Sequence, residues 1–171
     1  MKYIDGGVCA AKGFKASGMH CGIRKNKTKR DIALILSEKV GTAAAVYTTN
    51  LVKGAPILVD QVNLANGKAQ AVICNSGNAN TCNADGIEVA EKMAQLVSDH
   101  TGIKAEDVIV ASTGVIGQPL DINPIKDGIP SLVRGLDVNK SHEAAEGIMT
   151  TDTKLKEIAV SFEIGGVECK I

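Results

Sequence analysis

Gln70-Ala71-Val72-Ile73-Cys74-Asn75-Ser76-Gly77-Asn78-Ala79-Asn80 is followed closely by Gly86-Ile87-Glu88-Val89-Ala90-Glu91-Lys92-Met93-Ala94-Gln95-Leu96-Val97. The change of period between these stretches decides the fold class. The first is a short Val- and Ile-bearing apolar run closed by Asn and Gly, which predicts a strand over residues 70–74. In the second, Ile87, Ala90, Ala94 and Val97 recur at helical spacing with Met93 and Leu96 beside them, predicting one face of a helix over 86–100. Asp85 is placed to cap its start and Gly102 to end it. A further apolar run at 107–111 predicts the next strand. Strand, helix and strand in this order point to an α/β architecture.

Working outward, residues 31–37, 42–49 and 56–62 also read as strands. Their near-continuous apolarity implies that several strands are buried on both faces. Asn123-Pro124 opens a helix as a cap followed by proline at the first helical position. That helix runs to Gly135, with Pro130 inside predicting a kink or a break. A shorter helix is expected over 141–149. The tail predicts a hairpin: residues 157–164 lead into Gly165-Gly166, a pair suited to a tight turn, and 167–171 return. The whole reads as one domain over 1–171, with mixed β layers flanked by helices.

Apolar residues make up 44% of the chain, enough for a core. With two Phe, two Tyr and no Trp, that core is built from Ala, Val, Ile and Leu. Nineteen basic and nineteen acidic residues balance, which argues against a nucleic-acid partner. The basic run Arg24-Lys25-Asn26-Lys27-Thr28-Lys29-Arg30 has no interleaved aromatics and reads as a solvated turn between two strands. No apolar stretch approaches membrane-spanning length, and residues 1–20 do not resemble a signal peptide. The five cysteines lack Cys-x-x-Cys spacing and read as reduced, cytoplasmic packing residues. His20, His100 and His142 are scattered, giving no metal site, and no cofactor motif stands out.

Four segments bear on chemistry. His20-Cys21 pairs a base with a thiol, but neighbours in a strand point to opposite faces. Cys74-Asn75-Ser76-Gly77-Asn78-Ala79-Asn80 lies between a strand and a helix. There, amides and backbone N–H groups either hold an anion or stitch a buried turn. Ser112-Thr113-Gly114-Val115-Ile116-Gly117 follows an apolar strand. It offers free N–H groups and a glycine that lets a substrate approach, as an oxyanion hole needs, or forms a plain turn. It matches neither a P-loop nor Gly-x-Gly-x-x-Gly. Thr150-Thr151-Asp152-Thr153 can orient a polar ligand or cap local backbone.

Taken in order, these segments resemble one family. Gly13-Phe14-Lys15-Ala16 with Cys21-Gly22-Ile23 is similar to its opening, and Tyr47-Thr48-Thr49-Asn50-Leu51-Val52-Lys53-Gly54-Ala55-Pro56 to its next signature. The Asn-Ser-Gly-Asn-Ala-Asn, Ser-Thr-Gly-Val-Ile-Gly and Met149-Thr150-Thr151-Asp152-Thr153 segments follow. The family is the ornithine acetyltransferases, or glutamate N-acetyltransferases, multifunctional enzymes of arginine biosynthesis. The resemblance implies an autoprocessing fold of the N-terminal-nucleophile type, two β layers with helices outside, made as one precursor that cuts itself at an Ala-Thr bond. The freed threonine takes the acetyl group of N-acetylornithine and passes it to glutamate; some members also accept acetyl-CoA. Thr113 and Gly114 match the family's oxyanion pair, and Thr150 a substrate-binding residue.

The resemblance also implies that this chain is an α-chain portion, ending before the family's Lys-Gly-Ser-Gly segment and cleavage site. It would then be incomplete and inactive without a β-chain carrying the threonine nucleophile, with which it forms a hetero-oligomer. Two departures touch none of these residues. Thr81-Cys82-Asn83-Ala84-Asp85-Gly86 stands where many members have a Cys-Thr-Gly run, and Leu155 where Pro is common. The competing readings are an autoprocessing aminopeptidase of similar fold and a non-catalytic α/β domain that binds a small ligand.

Overall fold

The computed structural model describes residues 1–171. In chain order it contains β1 (Lys2–Ile4), β2 (Phe14–Met19), β3 (Ile32–Thr42), α1 (Ala55–Asn63), β4 (Lys68–Asn78), α2 (Gly86–Thr101), β5 (Val108–Val115), α3 (Asn123–Arg134), α4 (Ser141–Gly147), β6 (Ala159–Ile164) and β7 (Val167–Lys170). The strands form a three-stranded sheet ordered β1-β6-β7 and a four-stranded sheet ordered β2-β3-β4-β5. All pairings are antiparallel except β4–β5. That parallel pair is joined through α2, the crossover predicted from the change of period.

Strand alternation sorts the side chains of the larger sheet between its faces. Ile32, Leu34, Ile73, Val108 and Val110 lie in the main core with Met93, Val97, Ile125, Ile129 and Leu132 of α2 and α3. On the opposite face, Ala16 and Ala33 pack against Ala144 of α4. Beyond α4 this second face is open. Ile35, Val72 and Ile109 are only half-buried and line an apolar groove of about 200 Å³ with Phe14. Under α4 strands β2 and β3 are thus buried on both faces, as expected, and beyond α4 the sheet is covered on one face within this chain.

Several expectations change. Residues 56–62 belong to α1, with Pro56 in its first turn. The reason is tertiary. β5 is an edge strand, and α1 caps that edge: Asp60 Oδ1 accepts from Val110 N at 2.9 Å and Asn63 Nδ2 donates to Val108 O at 3.3 Å. Residues 43–50 are irregular, because the β3–β4 pairing, already shifted between Leu36 and Gly41, ends at Thr42. α2 and its left-handed end at Gly102 are as predicted, but Asp85 makes no side-chain cap and Ile87 is exposed. α3 passes through Pro130 as one helix. The buried Ile125, Ile129 and Leu132 hold it together against one lost N–H. Its start is capped from Asp121, whose Oδ1 accepts from Asn123 N at 3.0 Å. The short helix α4 and the terminal hairpin, turning at Gly165 and Gly166 with positive φ, form where expected.

Candidate active site

The Asn-rich segment extends β4 rather than forming a loop after it. Asn75, Asn78 and Asn80 are buried, and their amides bond the chain itself. Asn75 Nδ2 donates to Asn78 O at 2.9 Å while its Oδ1 accepts from Ser112 Oγ at 2.6 Å. Asn78 Nδ2 reaches the carbonyls of Gln118 and Pro119, and Asn80 Nδ2 that of Gly86. Of the two readings this segment allowed, stitching a buried turn accounts for these side chains. The network fixes the end of β4 against the end of β5 and the strap that follows it.

That junction shapes the site. β5 runs on through Ser112, Thr113 and Gly114, so these residues close the strand rather than follow it. Gly114 pairs with Gly77 beside a register shift at Asn78. Its φ is +138°, and a Cβ there would overlap the Gly77 carbonyl carbon and stand 2.5 Å from Asn78 N. The glycine admits the neighbouring strand, not only a substrate. Thr113, Gly114 and Val115 then line an open depression of about 520 Å³ together with Gly77, Arg24, Thr150 and Thr151. Thr113 and Thr150, far apart in sequence, are brought to one hollow by β5 and by the segment leaving α4.

Around Thr150, Asp152 Oδ2 accepts from Thr150 N at 3.4 Å. The hydrogen bond from Lys156, together with this one, holds the Asp152 carboxyl below its usual range. In this arrangement Asp152 caps local backbone. Arg24 was missed as a site residue. Lys25, Lys27 and Lys29 of the basic run are solvated as expected, but Arg24 turns inward to Met149 O and Arg30 to Glu146 and Gly18 O. Nothing in the run itself marks which cations turn inward.

Cys21 and Cys74, the thiols of the segments weighed for chemistry, are poor nucleophiles. Burial pushes Cys74 up to about 12. Burial, reinforced by the Asp31 carboxylate, does the same to Cys21. His20 does not serve Cys21; its Nδ1 lies 2.9 Å from Asp31 Oδ2. No group of three or more His, Cys, Asp or Glu is placed to hold a metal ion.

Comparison with known proteins places this geometry. The ArgJ family model matches residues 15–171. The arginine biosynthesis bifunctional protein ArgJ of Caldanaerobacter subterraneus subsp. tengcongensis is 46% identical over 97% of this chain and 41% of its own length. The glutamate N-acetyltransferase of Methanocaldococcus jannaschii is 44% identical over 100% of this chain and 42% of its own. The chain thus spans about two fifths of these curated relatives. Among solved structures, the Bacillus halodurans ArgJ protein superposes with a TM-score of 0.92 at 35% identity, over 99% of this chain and 90% of that one. The Mycobacterium tuberculosis ornithine acetyltransferase, solved with ornithine, gives 0.86 at 36% identity over 92% and 86%. With a family model matched over nearly its whole length and a fold that superposes closely on both solved proteins, the chain belongs to the ArgJ family.

Proposed function

We infer that this chain supplies the oxyanion and substrate contacts of an acetyltransferase of arginine biosynthesis. The enzyme moves the acetyl group of N-acetylornithine to glutamate through a threonine acetyl-enzyme, with acetyl-CoA a further donor in some members. The observation that carries this reading is the meeting of Thr113, Gly114 and Thr150 in one depression. When a hydroxyl attacks the acetyl carbonyl, negative charge develops on its oxygen. Donors already fixed at the end of β5 stabilise that charge without reorganising. In this reading Thr113 and Gly114 supply the donors, and Thr150 contacts the acetylated amino acid.

The nucleophile comes from a β-chain, and the two assemble as a hetero-oligomer. Two observations support this. The matched solved chains are covered over 86–90% of their length, whereas the curated relatives are covered over only 41–42%; one precursor divided in two accounts for both. The open apolar face over Ile35, Val72 and Ile109 also suits a partner layer. No helix is long and apolar enough to cross a membrane, and all five cysteines are free. Both facts fit a reaction in the cytoplasm.

The test is transfer from N-acetylornithine to glutamate by the assembled protein. Thr113→Ala should lower turnover about a hundredfold or more if its hydroxyl is a donor. Thr150→Val should raise KM more than it lowers kcat. Near-normal turnover in Thr113→Ala would reassign the donors to backbone N–H groups. Absence of transfer by the assembled wild type would overturn the function.

A further inference from the structure

Arg24 touches both halves of the depression. It follows β2, and its backbone is anchored: the buried Asp31 carboxylate accepts from Cys21 N at 2.7 Å, Gly22 N at 3.2 Å and Arg24 N at 2.9 Å. From there the side chain passes beneath Gly77, where an added Cβ would stand 2.8 Å from Arg24 Cγ. Gly77 is the β4 partner of Gly114. The guanidinium then donates to Met149 O, the carbonyl immediately before Thr150.

Arg24 takes part in none of the chain's ion pairs, and its Nε is buried without a partner. The contact its charged group makes is therefore the one to Met149. A second donor works beside it: Ser76 Oγ bonds Gly147 O at 2.7 Å. The carbonyls on either side of Ile148 are thus held by Ser76 of β4 and by Arg24 of the β2–β3 connection, which fix the segment leaving α4.

We propose that Arg24 is a positioning residue that clamps the Met149–Thr150 peptide against the ends of β4 and β5, so that Thr150 and the Thr113–Gly114 pair share one depression. A planar guanidinium suits this task, because its N–H groups are fixed in one plane and aim a directed hydrogen bond at the carbonyl. The role in substrate binding rests on the acetyltransferase reading; the placement of Thr150 does not.

The experiment compares Arg24→Ala, Arg24→Lys, Thr150→Val and the Arg24→Ala/Thr150→Val double variant in the assembled protein, by transfer kinetics and amide hydrogen exchange. Arg24→Ala should raise KM for N-acetylornithine about tenfold, the scale of one lost charge-assisted hydrogen bond, with a smaller change in kcat. Arg24→Lys, which keeps a cationic donor on a long side chain, should recover most of the loss. The double variant should be no worse than Thr150→Val alone, since Arg24 acts through Thr150. Exchange should quicken in residues 148–153 and stay unchanged in 70–74 and 108–111. Additive effects in the double variant would overturn the proposal. So would unchanged exchange at 148–153, or exchange raised throughout the chain. If Thr150→Val leaves KM unchanged, the substrate role of Thr150 fails, and exchange alone decides: acceleration confined to 148–153 upholds the clamp.

Discussion

At Gly114 the proposed oxyanion role and the packing of the fold make demands on the same atoms. The residue lines the depression, yet the space a side chain would take is filled by the Gly77–Asn78 peptide of β4. Backbone cannot yield as a flexible side chain can, and φ of +138° is strained for any L residue. Gly114→Ala should therefore destabilise the fold by about 2 kcal/mol or more, read as a lowered denaturation midpoint. An unchanged midpoint would contradict the packing described here. It follows that lost activity in a Gly114 variant cannot diagnose an oxyanion role, and Thr113 is the residue to test. At this scale the sequence was legible in which segments come together: Thr113-Gly114 and Thr150-Thr151 line one depression. The asparagines stayed ambiguous because an amide that holds a ligand and one that holds a turn have the same composition. Arg24 was hidden because its direction depends on Met149, far along the chain.

The element that departs most from its sequence reading is α1. Pro56-Ile57-Leu58-Val59 is short and apolar, and periodicity cannot separate a buried strand from one side of a helix over that length. What favours the helix is a long-range fact, the exposed edge of β5, which Asp60 and Asn63 satisfy from successive turns. Proline near the first helical position, just after Gly54, was the available signal. α2, longer and strongly periodic, needed no such context. The cap has a measurable cost. Burial pushes Asp60 up to about 6, partly offset by its bond from Val110 N. A carboxyl whose folded pKa exceeds its unfolded value binds its proton more tightly when folded, so its contribution to stability falls as pH rises from about 4 through 6. Asp60→Asn keeps an oxygen for Val110 and removes the charge. It should raise Tm by a few degrees at pH 7.5, with the gap closing towards pH 4. A wild-type advantage that grows with pH would contradict this account of the cap.

For the whole molecule, the question is what residues 1–171 can do by themselves. The depression is lined by Arg24, Gly77, Thr113, Gly114, Val115, Thr150 and Thr151. No carboxylate, imidazole or thiol is among them; Asp152 stands beside Thr150, but its carboxyl accepts from Lys156 and from Thr150 N and is held below its usual range, which makes it a weak base. Cys21 and Cys74, pushed up to about 12, stay protonated at neutral pH and are poor nucleophiles. In the proposed reading the chain stabilises a developing oxyanion but does not start the attack. Its second sheet face, with Ile35, Val72 and Ile109 half-buried over an apolar groove, carries surface that a further layer would cover. We therefore expect purified residues 1–171 to show no transfer from N-acetylornithine to glutamate, and transfer to appear when the proposed β-chain is supplied. Amide exchange at 35, 72 and 109 should slow in the mixture as that face is covered. Transfer by residues 1–171 alone would place the nucleophile within this chain and overturn the division of labour. Transfer on mixing without added protection at those strands would move the partner to another face.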